Sequence, residues 1–161
     1  SKNSDGVIVG YEANGGFLTI SDIKLNNMKL KQLPTRDALL PILALQGMLI
    51  HVKGKVSELT DALPDRFTYS DSIKVFSASD SAKIINSLSL LHPILPSELG
   101  VPIKTDKTDG LRLFFKNGEI IHLRQSGNAP ELRCYAETNE LSLSKSFVKR
   151  CLQNLLCSGK I

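Results

Sequence analysis

Residues 111–138 read LRLFFKNGEIIHLRQSGNAPELRCYAET, three strand-like runs separated by two polar breaks. The first break, Asn117-Gly118, is the type I′ turn signal of a two-residue hairpin, because both residues tolerate the left-handed backbone that such a turn needs. It predicts a strand on either side, and ELRCYAET supplies another after the second break. That second break, 124–131, crowds serine, glycine, asparagine and proline together, so the backbone turns there and leaves N–H groups without internal partners. Arg124 and Arg133 flank it with planar donor forks. Ser126 adds a hydroxyl, and the amides of Gly127 and Asn128 complete a nest for an oxyanion, which is the chemistry of phosphate binding. The competing reading is a polar loop with two solvated arginines. Because the loop joins a hairpin strand to its successor, both arginines are expected at the same end of the sheet, within reach of one anion.

Working outward, the chain before this stretch holds a helix from about Asp80, with Ala82, Ile85, Leu88 and Ser89 at helical spacing and Pro93 ending it. After it, ELSLSKSFVKRCLQNLLC is an amphipathic helix whose Leu143, Phe147, Cys151 and Leu155 lie four apart. These elements predict an antiparallel α+β layer pair. A boundary is expected near residues 64–68, where a helix capped by Ser57 stops before Pro64 and the strand RFTYSDSIKVF begins. Towards the N-terminus, Val7–Gly10 and Phe17–Ile20 read as short strands joined by a loop that presents Glu12 and Asn14. LPTRDALLPILALQGMLIHV reads as a helix over 36–50, capped by Thr35 and biased by Asp37. It is apolar almost all round, so it is expected to be buried on several sides, between a sheet and other elements.

The bulk figures exclude little. With 161 residues, 42% hydrophobic and 22% charged, the chain can form one domain or two small ones. No apolar run is long enough for a membrane span and no charged leader precedes an apolar segment, so the cytoplasm is the expected compartment. Cys134, Cys151 and Cys157 lack CxxC or CxxH spacing and read as packed, reduced thiols. His51, His92 and His122 are scattered, without the spacing of metal ligands. The net charge of +4 suits an anionic ligand, but three tyrosines, six phenylalanines and no tryptophan offer few stacking surfaces for nucleic acid.

Two stretches together resemble the phosphohexomutase family, the phosphomannomutases and phosphoglucomutases. GYEANGG (10–16) with LPTRDALLPILAL (33–45) is similar to the end of that family's third domain, and residues 108–138 are similar to its fourth. Arg124, Ser126, Gly127, Asn128 and Pro130 match the family's loop, with Asn128 where threonine is usual and Gln125 where proline or alanine is common. The resemblance implies that this loop holds the substrate phosphate that is not being transferred. It also implies that Glu12 accepts hydrogen bonds from the sugar hydroxyls, with Asn14 in place of an assisting serine.

The activity so implied is interconversion of hexose 1-phosphate and hexose 6-phosphate, mannose first. In the family it runs through a phosphoserine in domain 1, magnesium held by aspartates in domain 2, and a hexose 1,6-bisphosphate that also acts as activator. The sequence contains neither a Ser-His-Asn-Pro nucleophile motif nor an Asp-Gly-Asp metal loop. Phosphoryl transfer depends on positioning and on charge neutralisation by the metal, so the chain is expected to bind substrate without catalysing. The expected organisation is a C-terminal fragment: 1–65 as the end of an α/β domain 3, and 66–161 as the whole of domain 4. Its expected partners are a hexose phosphate and the N-terminal domains of the parent, with self-association through the apolar helix. For Arg133 a second role stays open, an ion pair with Glu137 or Asp109. The alternative for the whole chain is a nucleic-acid-binding module using Lys24, Lys29 and Lys31.

Overall fold

A computed structural model describes residues 6–12, 16–74, 76–87 and 93–157. The chain divides into two compact units, 1–63 and 64–161, and each is described by itself.

The first unit has little interior. Strands β1 (Val9–Tyr11), β2 (Phe17–Thr19) and β5 (Leu33–Asp37) form an antiparallel sheet in the order β1-β2-β5. Thr19 is buried, and its Oγ1 accepts the Leu33 N–H at 2.8 Å where the β2–β5 register shifts. Between β2 and β5 lies a hairpin, β3 (Ile23–Leu25) and β4 (Met28–Leu30), turned at a left-handed Asn26. After glycine, asparagine is the residue that best tolerates that backbone.

Helix α1 (Leu39–Val52) starts later than the sequence predicts. Pairing of β5 with β2 holds Thr35 inside a strand, so Thr35 caps nothing. The cap is the Asp37 carboxylate, whose Oδ1 accepts from the N–H groups of Leu39 and Leu40 at 2.8 and 3.2 Å. Pro41 falls in the first turn, where an N–H has no intrahelical acceptor in any case, and the helix runs on unbroken. It ends at a left-handed Lys53 whose N–H returns to the Leu49 carbonyl. The expectation that α1 is buried on several sides is corrected. None of its residues is buried, because the unit supplies too few apolar neighbours for a helix that is apolar all round. Helix α2 (Val56–Asp61) is capped at Lys55, not Ser57: the Glu58 carboxylate reaches back to the Lys55 N–H at 3.2 Å.

The second unit is a five-stranded antiparallel sheet in the order β6-β10-β9-β8-β7. Its strands are β6 (Phe67–Lys74), β7 (Lys104–Asp106), β8 (Leu111–Phe114), β9 (Ile120–Gln125) and β10 (Glu131–Thr138). With α3 (Ala78–Asn86) and α4 (Leu141–Cys157) it forms the α+β layer pair read from the sequence. Alternation is complete along β10: Leu132, Cys134, Ala136 and Thr138 are buried, and the residues between them are half-exposed. The buried set joins Leu111, Leu113, Ile121 and Leu123 under Phe147, Val148, Cys151 and Leu155 of α4 and Ile84 of α3.

Two local expectations need correction here. The hairpin closes through three residues, Lys116 to Gly118, instead of a two-residue type I′ turn. Gly118 alone takes a positive φ, +90°, and its N–H bonds the Phe115 carbonyl at 3.0 Å while the Phe115 N–H bonds the Glu119 carbonyl at 3.0 Å. This is the class in which a turn is followed by one left-handed glycine, and it spares Asn117 the strained backbone. Helix α3 begins at Ala78, because Ser77 Oγ accepts the Asp80 N–H at 3.1 Å. Its buried residues are therefore Ser81 and Ile84, not Ala82 and Ile85, and it ends at Asn86; Leu88 and Ser89 lie outside the described residues, as does His92.

Cys134 and Cys151 are buried free thiols, as expected, whereas Cys157 is exposed. A hydrogen bond with Cys151 and burial push the Cys134 thiol well up, which keeps it protonated and inert. Arg150 on α4 pairs both its terminal nitrogens with the Glu98 carboxylate on the 3-10 turn Ser97–Leu99. That guanidinium, followed by the residue's own backbone amide, lowers the Glu98 carboxyl from 4.5 to about 2. The folded chain then binds fewer protons than the unfolded chain between these values, so the pair's contribution is present above pH 4.5 and is lost as pH falls toward 2. A pH titration followed by carboxyl NMR is expected to give a Glu98 midpoint near 2 in the parent, and one in the ordinary range, about 4.3, in Arg150→Ala.

Candidate functional site

The site is built on the pairing of β9 with β10. Their register sets Arg124 directly opposite Arg133, so the two side chains stand on one face of the sheet with Cβ atoms about 5 Å apart. That face is opposite the core, since Leu123 and Cys134, the next pair along, are buried. It also carries Arg112, His122, Tyr135 and Glu137.

The connecting loop is pinned at both ends. Ser126 N–H donates to the Glu131 carbonyl at 3.0 Å, and the Phe76 N–H holds the Pro130 carbonyl at 2.8 Å. Ser126 is buried, and its Oγ accepts the Asn128 N–H at 3.4 Å, so this side chain shapes the loop from inside. Gly127, Asn128, Ala129 and Pro130 are exposed. Of the two amides expected to form a nest, that of Asn128 is turned to Ser126, while that of Gly127 has no partner among the described residues.

The arginines differ in their partners. Arg133 binds Glu131, two residues earlier on the same strand and hence on the same face, with Nε and one terminal nitrogen at 2.7 and 2.6 Å from Oε1. This corrects the expected partners, Glu137 and Asp109. Glu137 is taken by Arg66 at 3.0 Å and by Arg112 at 3.7 Å, and Asp109 by Arg124. Arg133 holds the Glu131 carboxyl below its usual range, and Glu131, then Tyr135, raises the Arg133 pKa in return. Arg124 pairs with Asp109 as an ion pair, Nε 3.2 Å from Oδ1, and both side chains are largely exposed.

Sequence reasoning missed what stands beside Arg124. An open groove of about 300 Å³ is lined by Asn86, Lys107, Asp109, Gly110, Arg124 and Gln125. The signal was the Asp109-Gly110 pair, a turn dipeptide just before a strand. Gly110 has φ +85°, and a Cβ there would lie 2.3 Å from the Leu123 carbonyl oxygen and 3.0 Å from the Arg124 Cα. Only glycine lets the turn approach β9 so closely.

In the first unit, Glu12 is exposed at the end of β1, where its N–H bonds the Gly16 carbonyl at 2.8 Å. Its carboxylate receives Arg36 of β5 at 2.9 Å, a partner the sequence reading did not name. Asn14 lies outside the described residues. Among the described residues no group of three or more His, Cys, Asp or Glu side chains could hold a metal ion. No described helix is long and apolar enough to cross a membrane.

Residues 52–151 match the family model described as phosphoglucomutase/phosphomannomutase, C-terminal domain. The chain belongs to this phosphohexomutase family. It is 44% identical over 153 residues to a phosphomannomutase of Salmonella muenchen, an alignment covering 92% of this chain and 31% of that protein. It is 38% identical over 144 residues to a phosphomannomutase of Sinorhizobium fredii (strain NBRC 101917 / NGR234), covering 83% of this chain and 29% of that protein. The chain thus spans about a third of the length of these relatives.

Gly110→Ala is expected to destabilise the second unit by about 1–3 kcal/mol, the range for a residue forced into a sparsely populated backbone region. It should also move the Leu123 and Arg124 amide resonances. Urea unfolding and an amide spectrum measure the two effects, and a variant as stable as the parent with unmoved resonances would contradict the close approach.

Proposed function

We propose that this chain supplies substrate-binding parts of a phosphomannomutase-like enzyme, which interconverts hexose 1-phosphate and hexose 6-phosphate through a phosphoserine and a bisphosphate intermediate. In this reading residues 1–65 are the end of the family's domain 3 and 66–161 its domain 4. The 124–128 loop holds the phosphate that is not being transferred, with Arg124 as the main donor fork. Ser126 sets the loop's shape, the amides of Gly127 and Asn128 line it, and Arg133 adds charge beside it. Glu12 and Asn14 hold the sugar. The nucleophile, the magnesium site and the bisphosphate activator belong to the rest of the parent, so this chain alone turns nothing over. A phosphorylated substrate pool puts the parent in the cytoplasm.

The observation that carries the reading is Arg124 on the exposed face of the sheet, at the start of a loop whose Gly127 is exposed and whose Gly127 amide has no hydrogen-bond partner among the described residues. A guanidinium edge and a backbone N–H are the donors that a phosphate dianion accepts best. The competing nucleic-acid reading gains nothing from the lysines of the first unit: Lys29 is held by Asp22 at 2.7 Å, and Lys24 stands opposite it in the hairpin register with no aromatic ring between them.

The direct test is an amide NMR titration with mannose 1-phosphate, with inorganic phosphate and free mannose as controls. Saturable shifts confined to 124–128 are expected with both phosphates and not with mannose. Shifts that respond to any polyanion and collapse steeply with salt would favour nucleic acid instead.

The apolar surface of α1 generates an expectation about association. Leu39, Leu43, Ile50 and Val52 are each more than half exposed, and a helix with this much apolar surface favours self-association in the absence of other cover. Sedimentation velocity at rising concentration is expected to show a monomer giving way to larger species, and a strict monomer throughout would count against it.

A further inference from the structure

We infer that the turn 106–110 is a positioning device for Arg124: Asp109 orients its guanidinium for a phosphate monoester, and Gly110 lets the turn come near enough to do so. The inference rests on the reading of 124–128 as a phosphate loop.

The turn is built from its own residues before it meets Arg124. Asp106 Oδ1 accepts the Thr108 N–H at 2.8 Å and the Thr108 hydroxyl at 2.6 Å, closing the chain around Lys107. Gly110 then lays the backbone against Leu123 and Arg124 at a distance no side chain would allow. Asp109 is held a second time from β9, where His122 donates from Nε2 to the Asp109 carbonyl at 2.5 Å. A carbonyl can only accept, so Nε2 carries the hydrogen. His122 is fixed in turn by stacking on Tyr135, with ring centroids 5.6 Å apart. Three independent contacts therefore set the Asp109 backbone, and none of them uses its carboxylate.

That carboxylate approaches Arg124 at Nε, 3.2 Å from Oδ1, and no hydrogen bond engages the Arg124 terminal nitrogens among the described residues. Arg133, directly across the sheet, is arranged differently, because Glu131 occupies its Nε together with one terminal nitrogen. Of the two arginines, Arg124 is the one that can offer a two-pronged edge to an incoming phosphate. Both partners of its ion pair are largely exposed, so the pair adds little to stability. Its value is in restricting the side chain beforehand, which removes part of the ordering cost of binding.

The same carboxylate repels a phosphate, and this decides the choice of variants. Asp109→Asn and Asp109→Ala remove the charge equally, but only the first leaves an oxygen facing Nε. Neither should disturb folding, since the turn is held by other atoms. The 15N-labelled chain and both variants are titrated with mannose 1-phosphate, reading the Arg124 Nε–H resonance and the amides of 124–128. A resolved, slowly exchanging Nε–H is expected in the parent and in Asp109→Asn, and an averaged one in Asp109→Ala. Binding is expected to be roughly three- to tenfold weaker in Asp109→Ala than in Asp109→Asn, the ordering cost of one long side chain held beforehand. Equal affinity in the two variants would overturn the inference alone, because Asp109 would then act only through its charge. An Arg124 Nε–H that depends on Asp109 in a chain that ignores the sugar phosphate would instead overturn the phosphate reading, and the inference with it.

Discussion

Strand β10 is hydrogen-bonded on both sides, to β6 and to β9, and its register is the constraint on which the rest of the second unit depends. Setting Cys134 against Leu123 and Ala136 against Ile121 puts four of its residues into the core. A slip by one residue would carry that whole set to solvent and bring the arginines inside. The energy that fixes the register is hydrophobic, yet what it positions is polar. Arg124 and Arg133 face one another because Leu123 and Cys134 do.

The outer face of the sheet then solves a problem that the register creates. Arg66, Arg112, Arg124 and Arg133 would repel one another in an array this tight, and each has a carboxylate: Glu137 for the first two, Asp109 for Arg124 and Glu131 for Arg133. These pairs are exposed or half-exposed, so their contribution is mainly to orientation and much less to stability. The pairing is also uneven. Glu137 and Glu131 lie on β10 itself, whereas Asp109 lies on a turn that reaches β9 only because residue 110 is glycine.

The first unit shows what happens when pattern and partners disagree. Local chemistry suffices to start and stop α1, through the Asp37 carboxylate at one end and the left-handed Lys53 at the other. It does not bury the helix. Three short strands and a small hairpin cannot cover a helix that is apolar on every side, so secondary structure forms there without a core of its own.

The amino-acid sequence by itself determined the elements whose signals are short-range: the hairpin at Asn117-Gly118, the strand that follows the Ser-Gly-Asn-Pro loop, the closing helix with Phe147, Cys151 and Leu155 on its inner face, and the family to which the loop belongs. Periodicity and turn chemistry act within a few residues, so a single chain displays them. The start of α1 was legible as well, in Asp37, but it was read at Thr35 because strand pairing decides which cap is free to act; that of α3 was placed at Asp80, three residues past its Ser77 cap. Only the tertiary structure decided which carboxylate each arginine meets. Asp109 and Arg124 are fifteen positions apart, and no pattern in the chain links them. They are joined by the register of β8 on β9 and by a backbone approach that needs Gly110, which are properties of the folded sheet and not of any segment within it.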